Sequence, residues 1–216
     1  MRHGEVAYFD ADGRPVGPIE VGLTAEGEEQ AAAAGAALAG VEFDRVITSG
    51  LVRTMETARI VAPGAELEAW PELEEMRGGR LEDIPDDELD QAFTFSLRGA
   101  ASPDDSFLGG ETYREFLDRV VPAVERLLAD EWGTALAVLH GGVNRAIISY
   151  ALTGERVFFG HFEQAAGCIN VLDVEDDAWV VRTVGYAPLD PLHESRLTVM
   201  ERYLEQYRPY RKGTNG

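Results

Sequence analysis

The chain has 216 residues, 45% of them hydrophobic and 27% charged, which is enough material for one well-buried core in an ordinary globular protein. A formal net charge of −20 argues against nucleic acid and against an anionic membrane surface as partners, so any phosphate site must be a local basic pocket. Cys168 stands alone, which excludes an intrachain disulfide; no basic-then-apolar leader and no apolar run near the ~20 residues of a membrane span is present, so the chain reads as cytoplasmic.

Arg2 and His3 open the chain, and any strand that carries them is missing or reduced to almost nothing. The stretch 6–22 is rich in turn formers (Asp10, Asp12-Gly13, Pro15, Gly17-Pro18, Gly22) and reads as a loop over a pocket. Thr24 is placed to cap a helix that runs to Leu38, with Gly40 beyond its end. Val46-Ile47 form a short buried strand of the parallel type. Ser49 then opens a helix from Leu51 to about Val61, stopped by Pro63-Gly64.

Glu66 to Trp70 reads as a short strand. The less regular region that follows is expected to hold one helix, around Asp87 to Leu97, and to form a cap inserted at about 79–110. Glu111 to Glu131 is a strongly amphipathic helix with Tyr113, Phe116, Leu117, Val120, Val121 and Val124 on its stripe; Pro122 should kink it or mark its first register break. A buried strand covers Thr134 to Leu139, and a helix covers Gly142 to Leu152. Cys168 to Val174 and Trp179 to Val184 alternate as a hairpin around Glu175-Asp176-Asp177. A closing helix is expected from His193 to Tyr207, followed by a frayed tail from Arg208. Its aromatic residues Tyr203 and Tyr207 could pack at home or against a second copy, so a homodimer is open.

Helices alternating with buried strands indicate an α/β fold: a three-layer α/β/α sandwich with a mostly parallel sheet and an antiparallel edge. Ligands in such sheets bind beyond the carboxyl ends of strands, at helix N-termini. Arg53 and His140 fall at those places. An Arg in the first turn opposes the helix dipole, a cost that makes sense if an anion binds there.

Several short patterns then fall in order. They are Arg2-His3-Gly4-Glu5, Leu23-Thr24-Ala25-Glu26-Gly27 with Gln30, Ser49 with Arg53 and Glu56-Thr57-Ala58, Leu73-Glu74-Glu75, Gly110-Glu111, and His140-Gly141-Gly142. In that order and spacing the chain resembles the histidine phosphatase superfamily, with its phosphoglycerate-mutase-like fold, over roughly residues 2 to 185. The resemblance implies a single domain over 1–216. It implies His3 as a nucleophile that becomes phosphohistidine, with Arg2, Arg53, His140 and the Gly141 backbone holding phosphoryl oxygens. It implies Glu75 as general acid and then base, no metal, no cofactor and a small phosphorylated substrate.

Elementary chemistry agrees with those roles. Neighbouring guanidiniums disfavour a protonated His3 and leave a nitrogen free to attack. Fixed cations stabilise the charge spread over the equatorial oxygens. Glu74 and Glu75 could equally be a solvated acidic face, and Glu111 could meet substrate, glycine backbone or a helix dipole. His161 and His193 match no pattern and read as structural or surface residues.

Many mutases of the family carry an Asn a few residues after Arg-His-Gly, where Phe9 and Asp10 stand here, and the long Arg-, His- and Tyr-rich substrate segment is replaced by Met76-Arg77-Gly78-Gly79. A phosphomonoesterase is therefore expected, ahead of a phosphoglycerate-mutase-type phosphotransferase or an inactive binding protein. A serine hydrolase lacks its Gly-x-Ser-x-Gly elbow, and a dinucleotide enzyme lacks Gly-x-Gly-x-x-Gly. A metal hydrolase through His3 and Glu5 is disfavoured by Arg2 and Arg53 alongside.

Overall fold

The computed structural model describes residues 1–10, 12, 14–17, 19–94, 99–175, 178–194 and 197–214. A parallel three-stranded sheet has the order β2-β1-β3, from β1 (Arg45–Thr48), β2 (Leu67–Ala69) and β3 (Ala135–Val138). An antiparallel pair, β4 (Ile169–Glu175) and β5 (Ala178–Tyr186), forms the second sheet.

Met1 to His3 join the two. The Leu139 N–H donates to Met1 O, the His3 N–H to Leu139 O, and the Arg2 N–H to Cys168 O. Arg2 makes an isolated parallel bridge with Leu139, and these few bonds seat residues 1–3 between β3 and β4.

Alternation along β1 sorts the helices onto two faces. Val46 packs with Ala34 of α1 (Ala25–Ala37) and with Ala58 and Val61 of α2 (Val52–Val61). Ile47 packs with Phe116, Val120 and Val124 of α4 (Tyr113–Leu128) and with Val143 and Ala146 of α5 (Gly141–Thr153). That gives the three layers expected. Thr24 caps α1 by accepting from the Gly27 N–H, and Thr112 with Glu115 makes a full capping box at α4. Gly154 ends α5 in the left-handed conformation at φ 69°. Pro122 does not interrupt α4, which runs as one helix through it.

In the segment 79–110, here called the cap, the helix α3 (Leu89–Thr94) starts two residues later than expected, and the remainder of that expectation, residues 95–97, lies outside the described residues, as do hairpin residues Asp176 and Asp177. The closing helix is corrected more substantially. It is α6 (Val199–Thr214), and the expected frayed tail is helical. Arg208 pairs with Asp90 at 2.6 Å, and Arg211 pairs with Asp86 at 2.9 Å and donates to the carbonyls of Leu81, Glu82 and Ile84. These partners sit on the cap, so the helix end is held by contacts that local propensity does not encode. A third apolar cluster joins Ile84, Leu89, Phe93 and Leu108 of the cap with Leu204 and Tyr207 of α6. Tyr203 and Tyr207 pack at home, against Phe9 and, for Tyr207, Phe93. No helix among the described residues is long and apolar enough to cross a membrane.

Candidate active site

The site forms where Met1–His3 and β3 end and where α2 and α5 begin. His3 is only 2% exposed and His140 is fully buried; their ring centroids are 5.1 Å apart, edge to face. The His3 Nδ1 lies 2.6 Å from Gly4 O. A carbonyl can only accept, so Nδ1 carries the hydrogen and Nε2 carries the lone pair. Burial, then the charges of Arg2 and Arg53, hold His3 well below the usual imidazole range. Burial, then His3, Arg53 and Arg2, does the same to His140. Both rings are neutral near pH 7.

Arg2 and Arg53 are buried beside them. Arg2 donates from one terminal nitrogen to Gln164 O at 2.5 Å, and its buried Nε has no protein partner. Arg53, the second residue of α2, lies under the Tyr8 ring at 5.7 Å. His140 is the N-cap of α5, and its Nε2 lies 2.8 Å from Ser49 Oγ. When Ser49 donates there, Nδ1 carries the other hydrogen, a buried donor without a protein partner. Two helix N-termini and two guanidiniums thus converge on one buried spot, a strongly anion-favouring place in a chain of net charge −20.

Of the two adjacent acids, Glu75 is the one turned inward. Its oxygens accept from the Gly142 N–H at 3.0 and 3.1 Å and from the Met76 N–H at 3.0 Å. Glu74 instead lies 3.5 Å from exposed Arg77. Glu75, Arg2, Gly141 and Gly142 line a cleft of about 60 Å³, together with Thr94 and Phe107 from the cap and Thr198, Val199 and Met200 around the start of α6. A larger cavity of about 300 Å³ adjoins it through Glu163 and Thr198 and is lined by Glu26, Asp190, His193 and Arg202, among others. His193 is partly buried there, and His161 is exposed.

All six expected site residues, Arg2, His3, Arg53, Glu75, His140 and Gly141, thus gather at one place. Several other residues in the sequence patterns brace the loop that carries His3. Gln30 accepts from the Glu5 N–H, Glu56 from the Leu23 N–H, and Thr57 from the Gly4 N–H while donating to Arg53 O. Gly4 and Gly27 are glycines because a Cβ on either would sit within 2.3 Å of the other segment's backbone. Sequence reasoning missed Arg119, Gln164 and Arg145. Arg145 is buried and donates to the carbonyls of Gly141 and Phe162. A cation on the inward side of a helix was the available signal. Among the described residues, no group of three or more His, Cys, Asp or Glu could hold a metal ion.

A model of the histidine phosphatase superfamily (branch 1) matches residues 1–186. The chain belongs to that family. Among similar proteins, the Escherichia coli K12 adenosylcobalamin/alpha-ribazole phosphatase is 30% identical over 189 residues, covering 85% of this chain and 93% of that protein. A Salmonella paratyphi A protein named as a probable phosphoglycerate mutase, GpmB, is 28% identical over 195 residues, covering 86% of this chain and 90% of that one. The solved alpha-ribazole phosphatase of Shigella flexneri superposes with a TM-score of 0.67 at 28% identity, covering 86% of this chain and 94% of that one. A mycobacterial glucosyl-3-phosphoglycerate phosphatase, 21% identical over 85% of this chain and 96% of its own, shares the fold with a TM-score of 0.69. The histidine phosphatase fold is thus that of phosphatase and mutase-like enzymes, as the sequence patterns implied.

Proposed function

We propose that the chain is a phosphomonoester hydrolase that works through a phosphohistidine on His3. The observation that carries the reading is the 2.6 Å bond from Nδ1 of His3 to Gly4 O, which leaves the Nε2 lone pair among buried cations. In the first step Nε2 bonds to phosphorus and the ester P–O bond breaks, its electron pair leaving with the alcohol oxygen. Glu75, in its protonated form, gives that oxygen its proton. In the second step the Glu75 carboxylate takes a proton from water as the water oxygen bonds to phosphorus, and the P–N bond breaks to restore His3. Arg2, Arg53, the Nδ1–H of His140 and the Gly141 backbone hold the equatorial oxygens, whose charge fixed donors stabilise without reorganising. No cofactor enters this scheme.

The substrate is a small phosphorylated metabolite. The names of the relatives put alpha-ribazole 5′-phosphate in the first substrate panel, beside phosphoglycerates. Compartment follows as part of the same proposal: the single buried Cys168 suits the cytoplasm.

The test is hydrolysis of an aryl phosphate by the wild type and His3→Ala, with EDTA present. Metal-independent turnover that His3→Ala abolishes, with acid-labile phosphate trapped on the wild type alone, is the expected result. Undiminished turnover by His3→Ala overturns it. Transfer of the phosphoryl group to an added phosphoglycerate in preference to water would move the assignment to a mutase.

A further inference from the structure

Five hydrogen bonds radiate from one guanidinium outside the cleft. Arg119, in the middle of α4, donates from Nε and one terminal nitrogen to the two oxygens of Glu111, at 2.8 and 2.9 Å. The remaining donors reach the carbonyls of Glu72 at 2.8 Å, Glu74 at 2.7 Å and Glu75 at 3.0 Å. All five N–H groups an arginine owns are engaged in one planar fork. The guanidinium also lies 4.9 Å from the Phe116 ring. Glu111 closes the arrangement from the other side, because its second oxygen also accepts from the Arg77 N–H at 3.1 Å. The Glu111 N–H donates to Arg77 O at 2.7 Å.

The segment so gripped has little structure of its own. A single 3-10 turn covers Pro71–Leu73, and no helix or strand follows until a second 3-10 turn begins at Leu81. No sheet ladder holds Glu75. Its carboxylate reaches the Gly142 N–H only because the backbone on both sides of it is tied down. The tie is itself buried: the side chains of Arg119 and Glu111 are 16% and 9% exposed. Burial pushes Glu111 upward, but Arg119 and the Arg77 N–H outweigh it and hold the carboxyl below its ordinary range, so the pair is ionic at neutral pH. Gly110 belongs to the same joint, since a Cβ there would lie 2.2 Å from Arg77 O.

We infer that Arg119 and Glu111 are positioning residues for the general acid: they fix the Glu72–Arg77 strap at the height from which Glu75 reaches the leaving oxygen. The inference rests on the proposed role of Glu75 and extends it to two residues that touch no substrate. A purely structural clamp would lower the rate on every substrate alike. A clamp that serves proton donation acts selectively. An alkoxide leaving group needs a proton in the transition state, whereas nitrophenolate departs as the anion without help.

The experiment compares kcat/KM, which reports phosphoryl transfer to His3 and not the later hydrolysis that both esters share, for 4-nitrophenyl phosphate and for a simple alkyl phosphate in the wild type, Arg119→Lys, Glu111→Gln and Glu75→Gln. Arg119→Lys keeps the charge and loses the fork. Expected is a loss of roughly tenfold or more on the alkyl ester and less than about threefold on the nitrophenyl ester, with the same bias, larger, for Glu75→Gln. In a Glu75→Gln background, Arg119→Lys should add no further bias. A matching bias in Glu111→Gln is required too, and it serves as the readout if Arg119→Lys does not fold. Equal losses on both esters from Arg119→Lys and Glu111→Gln, with Glu75→Gln still biased, overturn the inference alone. An unbiased Glu75→Gln overturns the role of Glu75 and the inference with it.

Discussion

Substitution of Gly142 should separate activity from stability. It is the second residue of α5, and its N–H donates to both oxygens of Glu75. A Cβ built there lies 2.3 Å from Glu75 Oε1 and 2.9 Å from Met76 Cε, while ordinary contact begins at 3.4 Å. Both obstructing atoms are ends of flexible side chains, so Gly142→Ala is accommodated by pushing the carboxylate aside by about 1 Å and not by moving backbone. The fold should not suffer, because alanine is the better helix residue by about 0.5–1 kcal/mol. Activity should. A displacement of about 1 Å of a catalytic group costs on the order of 10²-fold, or about 2.7 kcal/mol of barrier. The assay pairs kcat on an alkyl phosphate with a thermal melt. The expected outcome is a protein that melts at or slightly above the wild-type temperature and turns over roughly 10²-fold more slowly. Wild-type kcat in a stable Gly142→Ala protein would refute the placement of Glu75 as proton donor.

Two further outcomes follow from the same geometry. The imidazole of His3 stays neutral in the fold but binds a proton in the unfolded chain below about pH 6.5, so its contribution to stability is complete above that pH and is lost as pH falls toward the depressed folded value. Urea unfolding between about pH 6.5 and 5 should therefore be less pH-dependent in His3→Gln than in the wild type, by at most about 1.4 kcal/mol per pH unit, and identical slopes would count against a neutral buried His3. Gly4→Ala should destabilise by about 1–3 kcal/mol in a chemical melt, because its Cβ would lie 2.3 Å from Gly27 O and backbone must move; an unchanged midpoint would mean that the loop after His3 and α1 are not packed backbone to backbone.

The amino-acid sequence alone determined the layers, most of the helices and the composition of the site. Those features are written locally. The stripe of α4, the Thr24 cap and Gly154 act over three or four residues, and a short apolar run such as Val46-Ile47 suits a buried parallel strand. Arg2, His3, Arg53, His140 and Gly141 were legible because each sits in a short pattern at a strand end or helix start, where an α/β sheet must bring such positions together, whereas Glu75 lies in an irregular segment and was legible only through its Leu-Glu-Glu pattern.

Tertiary structure decided what the patterns are for. Gln30, Glu56 and Thr57 turn out to hold backbone, and Glu75, which the resemblance singled out from Glu74, is the acid whose carboxylate reaches Gly142. The extension of α6 to Thr214 depends on Arg208 meeting Asp90, 118 residues away in sequence, and the Glu75 strap depends on Arg119, 44 residues away. Partners at such separations are chosen by how packed layers meet. A single sequence encodes its own periodicity and caps, but the register in which one layer's charges meet another's exists only once the core between them has formed.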